Sequence, residues 1–396
     1  MRTLYFGKWM YTADEKGTVL KDFGMLAEDG RIVWIKPRQE AEEETADKVV
    51  TLGESYVAPG FIDSHVHLVP DGGWNEETPN EERKNAALVC EGVSNARELL
   101  KAGVVACRDL GSYKGYALGI RDAVKKGLLE GPEIMACGRA VCARGGHGYE
   151  IGYEVNGANE MRGAVRQVVK DGADVVKIMA SGGVNSPGPE PGPCELTKEE
   201  IWCAVETAHA WGRKAGVHAH GNTAIRRCVE AGVDSVEHGV FMTEDIMDMM
   251  AEMGTFLVPT LCAPYYAVTE GLKREPDNPD HAKSREVLKR HRDVLKRCAE
   301  KGVKIAMGTD AGCPFNPFRE AAYEMVLMVE AGLTPGQALD AATRGGAGLL
   351  GLDSLGSLEA GKAASFVCLS GNPLEEIEQV RNVEAVYLNG KKVNLE

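Results

Sequence analysis

Eight short apolar segments, spaced along some 250 residues and separated by stretches with helical periodicity, restrict what this chain can fold into. The predicted strands cover 58–67, 104–109, 133–138, 174–180, 214–220, 235–239, 255–260 and 303–310. Between them the apolar period changes. In 286–301, Val287, Leu288, Val294, Leu295 and Cys298 fall on one stripe with Lys and Arg elsewhere, as an amphipathic helix requires. Thr243 is placed to cap a helix whose buried face is Ile246, Met247 and Met250. Strand–helix alternation at this count predicts an α/β fold, a (β/α)8 barrel of the TIM type over 57–356. Residues 1–56 and 357–396 read as short strands with turn residues such as Asp29-Gly30 and Asn389-Gly390 between them. Neither end makes a domain alone, so the two are expected to combine into one small β-sandwich.

Barrels of this kind build their sites at the C-terminal ends of the strands. Reading only those ends collects His65, His67, Lys177, His218, His220, His238 and Asp310. His65 and His67 are two apart on one strand, so they project together and can share a cation. Lys177 interrupts the apolar run Val175-Val176-Lys177-Ile178-Met179, where an unpaired charge is costly. Imidazole and carboxylate are ligands for zinc and similar divalent metals. Five of the nine histidines lie in this set, and the combination is far more specific than any of its parts.

The net charge of −14 argues against nucleic acid or an anionic membrane as partner and says little else. Eleven scattered cysteines without a Cys-x-x-Cys suit a reducing compartment. The N-terminal residues have no long apolar stretch and no segment has the length of a membrane span, so the expected location is the cytoplasm. Gly145-Gly146 and Gly345-Gly346 lack the strand-to-helix pattern of a phosphate loop. Cys313 is read as structural. The segments 186–193 and 264–283 are expected to form the rim of the site.

With these motifs in view the chain resembles the amidohydrolase superfamily over nearly its whole length. The resemblance rests on Pro59-Gly60-Phe61-Ile62-Asp63-Ser64-His65-Val66-His67, Val176-Lys177-Ile178-Met179-Ala180-Ser181-Gly182-Gly183, His218-Ala219-His220-Gly221, Val236-Glu237-His238-Gly239 and Gly308-Thr309-Asp310-Ala311-Gly312. It is nearest to the branch of imidazolonepropionase-like hydrolases and metal-dependent prolidases and carboxypeptidases. That likeness implies two divalent metal ions, zinc first among them. His65, His67 and Asp310 would hold one and His218 and His238 the other, with a CO2-derived carbamate on Lys177 bridging both. Spacing alone leaves open which of His218 and His220 is the ligand; the resemblance favours His218. A bridging hydroxide would attack an amide carbonyl, with Asp310 as general base and acid and His220 donating to the carbonyl oxygen. His147, in the glycine-rich stretch Arg144-Gly145-Gly146-His147-Gly148-Tyr149, is implied as a substrate contact, and Arg144 and Tyr149 are candidates for a substrate carboxylate. The expected reaction is hydrolysis of a dipeptide or N-acyl amino acid by a homo-oligomer. A one-metal cyclic amide hydrolase would not need Lys177. A deaminase would carry a Glu shortly after His218, and a silent scaffold would lack ligands.

Overall fold

The computed structural model describes residues 1–70, 81–184, 192–278 and 280–395. The first strands are β1 (Arg2–Tyr11), β2 (Val19–Glu28), β3 (Arg31–Pro37), β4 (Lys48–Thr51) and β5 (Tyr56–Pro59). Then follow β6 (Phe61–Val66), β7 (Val104–Asp109), β8 (Glu133–Ala136), β9 (Ala140–Ala143), β10 (Gly152–Val155) and β11 (Val175–Met179). The series continues with β12 (Lys214–Ala219), β13 (Ser235–His238), β14 (Phe256–Val258) and β15 (Lys304–Ile305), and ends with β16 (Phe366–Leu369), β17 (Val383–Leu388) and β18 (Lys391–Lys392).

Both chain ends do combine, into one hydrogen-bonded eight-stranded sheet of order β18-β17-β16-β5-β1-β2-β3 with β4 also paired to β1. Its strands share a core of their own, with Tyr5, Phe23, Val57, Phe366 and Tyr387 buried together. Tyr5 of β1 meets Phe366 and Tyr387 edge-on at centroid distances of 5.4 and 5.7 Å, and the latter two rings stack at 4.4 Å. The run expected as one strand, 58–67, is two. At Gly60 the chain leaves the chain-end sheet, where β5 pairs with β16, and enters β6. A Cβ at Gly60 would lie 2.3 Å from Val105 Cγ1, so only glycine allows the crossing to pack this closely.

The middle of the chain forms two parallel sheets, β6-β7-β8 and β10-β9-β11-β12-β13-β14-β15. Hydrogen bonds join the two sheets. The backbone N–H of Ser64 donates to Met307 O, that of Asp310 to His65 O and that of His67 to Ala311 O, each at 2.8 Å, while Asp174 N–H reaches Ala136 O at 2.9 Å. Only Lys304–Ile305 of the expected eighth strand is regular; the extended chain beyond it continues along β6. β9 and β10 were not anticipated and fall between the expected third and fourth strands. Helices Glu81–Lys101, Ala117–Lys125, Gly157–Lys170, Lys198–Ala210, Asn222–Glu230, Glu244–Met253, Asp280–Glu300 and Tyr323–Glu330 lie between and after the parallel strands. Thr243 sits at the expected N-cap position, yet its hydroxyl donates to Asp245 rather than accepting from the helix backbone. Ile246, Met247 and Met250 are buried as read from the pattern. The basic helix begins six residues earlier than expected, at Asp280, and buries His281 and His291 besides its apolar stripe.

Because Phe366 is fully buried between Tyr5 and Tyr387, its replacement by alanine is expected to cost about 3–5 kcal/mol. Denaturant unfolding measures this; a loss below about 1 kcal/mol would mean the chain-end sheet collapses around the gap.

Candidate metal centre

The residues collected from the strand ends converge. His65 lies within β6 and His67 one residue beyond it, and their Nε2 atoms stand 3.3 and 3.1 Å from one oxygen of Asp310. Two groups of ligand atoms each fit within 4.8 Å, His65 with His238 and Asp310, and His218 with His220 and His238. His238 belongs to both. Lys177, in the middle of β11, is 1% exposed. His147 is brought in as well, its ring 4.3 Å from that of His218. Close approach makes this possible: a Cβ at Gly183 would come within 2.5 Å of the His147 ring, and one at Gly308 within 2.9 Å of His65 Cβ.

His65, His67 and His238 each engage one ring nitrogen outside the cluster, and His218 and His220 each keep a buried nitrogen without a hydrogen-bond partner. His67 Nδ1 donates to Gly111 O at 2.7 Å. His238 Nδ1 donates to Thr260 Oγ1 at 2.7 Å, because that hydroxyl gives its own proton to Pro259 O at 2.6 Å. His65 Nδ1 meets the Glu237 carboxylate at 3.0 Å. His218 Nε2 and His220 Nδ1 are buried without any hydrogen-bond partner. Histidines that bind metal commonly donate their second N–H outward in this way, and orphaned buried nitrogens are rare unless something else satisfies them. The donor set therefore fits divalent cations.

Electrostatics point the same way. Burial lowers the Lys177 amine from its ordinary value, against the pull of Glu237 and Asp310, and so favours its neutral form. Burial pushes His65 down to about 4 and His220 to about 3; burial and neighbouring imidazoles take His218 and His238 well below 6.5. His67 alone moves up: burial, the largest single influence, lowers it, but Asp310, Asp109 and the bond to Gly111 O together outweigh burial. Burial alone would raise Asp310, but His65, His67 and Lys177 hold it below the usual carboxylate range. Burial raises Asp63 to about 7; it accepts from Thr309 Oγ1 at 2.6 Å and braces β6 against the segment carrying Asp310. Backbone strain concentrates here too, with φ at +69° for His238, +57° for Thr260 and +59° for Asp310.

Arg144 and Tyr149 stand apart from the cluster. Both side chains are exposed, Arg144 beside Glu160 at 3.7 Å. Their stretch lies between β9 and β10 and contains the left-handed Gly145 and Gly148; of its side chains His147 reaches the cluster while Arg144 and Tyr149 are exposed. Of the rim segment 186–193, residues 186–191 lie outside the described residues. Cys313 is half-buried. Strand-end reading missed Arg108, Ser235, Glu237, Thr260 and His291. Arg108 and Glu237 carried the signal that exposed Lys177, a charge inside an apolar strand; Thr260 and His291 carried none.

The amidohydrolase family pattern matches residues 56–393. The chain belongs to the amidohydrolase family. It is 30% identical over 360 residues to ochratoxinase of Aspergillus niger, covering 83% of this chain and 73% of that protein. A crystal structure of a Xaa-Pro dipeptidase with bound methionine superposes with a TM-score of 0.89 at 32% identity, and a prolidase complexed with N-methylphosphonate-L-proline with 0.89 at 29%; both cover the whole of each chain. The protein is thus a hydrolytic enzyme of the amide-cleaving class, and its α/β fold is that of the prolidase structures.

Only His67 among the histidines of the cluster has its proton held up, so cation uptake displaces one imidazole proton rather than several. The affinity for zinc without added bicarbonate is expected to fall by about tenfold per pH unit below neutrality. Zinc titrations between pH 5 and 7 check this, and a slope of three or more decades per unit would contradict it.

Proposed function

We propose that this chain is a binuclear metal-dependent hydrolase that cleaves the amide bond of a dipeptide or N-acyl amino acid bearing a free carboxylate. The observation that carries the reading is the burial, around one point, of unpartnered imidazole nitrogens, Asp310 and a fully buried lysine. The parallel strands, with their two sheets hydrogen-bonded to one another, are read as a (β/α)8 barrel over 57–356, and the two chain ends as a companion β-sandwich domain whose strands extend to Pro59.

Two divalent cations, zinc by ligand type, would be held by His65, His67 and Asp310 and by His218 and His238, with carbamylated Lys177 between them, supplying Lewis acidity and an acidified water. The neutral Lys177 amine adds CO2 and loses a proton to become that carbamate. Asp310 accepts the proton of the attacking water and returns it to the nitrogen that leaves as the C–N bond breaks. His220 donates to the carbonyl oxygen as charge builds there, and His147 contacts the substrate beside His218. The Xaa-Pro dipeptidase and the proline phosphonate complex among the similar structures support an amino acid as the leaving group.

No helix among the described residues is long and apolar enough to cross a membrane. A cytoplasmic location and self-association are part of the reading.

The test is a turnover screen of zinc-loaded protein against dipeptides and N-acyl amino acids, with metal content measured on the same sample. Two equivalents of metal and release of one class of C-terminal amino acid are expected. Asp310→Asn is expected to abolish turnover while keeping much of the metal, Lys177→Ala to lose the two-metal centre, and His220→Ala to lower kcat by ~10²-fold. Full activity in the Asp310 or Lys177 variant would overturn the mechanism.

A further inference from the structure

Glu237 is a fully buried carboxylate on β13. Its Oε1 accepts from Arg108 Nη2 at 2.8 Å and from Ser235 Oγ at 2.5 Å, and its Oε2 stands 3.0 Å from His65 Nδ1. Arg108 is itself pinned, donating through Nη1 to Ser235 Oγ at 3.0 Å and through Nε to Ser64 O at 2.6 Å. The guanidinium starts from β7 in the three-stranded sheet and the carboxylate from β13 in the seven-stranded one, so the pair spans the interior between sheets. Buried ion pairs of this kind often add nothing to stability compared with apolar residues of equal volume, so another role is needed to account for this one.

An ionised carboxylate can only accept. With Arg108 and Ser235 supplying the donors to Oε1, the proton between Glu237 Oε2 and His65 has to sit on Nδ1. His65 Nε2, on the side of Asp310, then keeps its lone pair. We infer that Arg108 and Glu237 are positioning residues that lock His65 in the Nδ1–H form and so set the cation affinity of the half of the centre built by His65, His67 and Asp310. The half built by His218 and His238 does not depend on them. This rests on the two-cation reading above.

Glu237→Gln tests it with almost no change of shape. Arg108 and Ser235, both donors, claim the amide oxygen, which turns the amide N–H2 toward His65 Nδ1. That nitrogen must now accept, so its proton moves to Nε2, the atom needed by the cation. In the metal-free variant, ¹⁵N shifts of His65 are expected to change from the Nδ1–H to the Nε2–H pattern. Zinc titration is expected to show one of two sites weakened 10- to 100-fold and the other unaltered. The double variant Arg108→Met/Glu237→Met removes both charges at similar volume and so leaves no unpaired buried ion; it is expected to weaken the same site, because Nδ1–H has lost its acceptor. It decides the question should Glu237→Gln fail to fold.

Two zinc equivalents in the unaltered protein, with unchanged affinities in the variants or equal loss at both sites, would overturn this inference alone. A His65 that stays in the Nδ1–H form in Glu237→Gln would do the same. One equivalent in the unaltered protein would overturn the two-cation reading and this inference with it.

Discussion

Packing imidazoles, a lysine and carboxylates into the ends of buried parallel strands costs free energy that apolar contacts do not return. The rest of the structure is arranged to meet that cost. Lys177, His65, His218, His238 and Asp310 are all removed from water, and burial is the largest influence on the proton affinity of each. The fold answers with outward partners: Gly111 O for His67, Thr260 Oγ1 for His238 and Glu237 for His65. What it leaves unanswered, at His218 Nε2 and His220 Nδ1, is the part that a cation or substrate completes in the proposed reading.

A second layer holds that arrangement at the backbone. His238, Thr260 and Asp310 adopt left-handed conformations that residues with a Cβ seldom take; His238 is the last residue of β13, and Thr260 and Asp310 follow β14 and β15. Strain of this kind persists only where the surroundings over-determine it. Here Glu324, buried on helix Tyr323–Glu330, accepts the backbone N–H of Leu261 and Cys262 at 2.7 Å each, clamping the turn that carries Thr260. His291 donates to His238 O at 2.7 Å from the other side. Helices outside the strands thus fix the direction in which two strand-end side chains point.

Much of this was legible in the sequence because charge inside an apolar strand and the two-residue period of His-x-His are local signals. The parallel strands and the cluster His65, His67, Lys177, His218, His220, His238 and Asp310 come from that reading. Where it departed from the structure, the cause was non-local. At Gly60, where the chain passes from one sheet to another, Val105 leaves no room for a Cβ, which nothing near Gly60 in sequence reveals. The eighth strand leaves β14 after Ala306, where Met307 N–H turns to Ala341 O while Met307 O and Asp310 N–H bond to β6. His147 is implied by the resemblance and Arg144 and Tyr149 are candidates from their place beside it; the fold brings His147 against His218 and leaves the other two exposed. Thr260 and His291 gain their roles solely through contacts made across the fold.

The central claim is that this cluster holds two cations bridged by a carbamylated Lys177. The most direct measurement is an anomalous-difference map at the zinc absorption edge, from crystals grown with zinc and bicarbonate. The account expects two peaks, one against His65, His67 and Asp310 and the other against His218 and His238, with density for a carboxyl group continuing from Lys177 Nζ. A single peak with a bare Lys177 amine would contradict it.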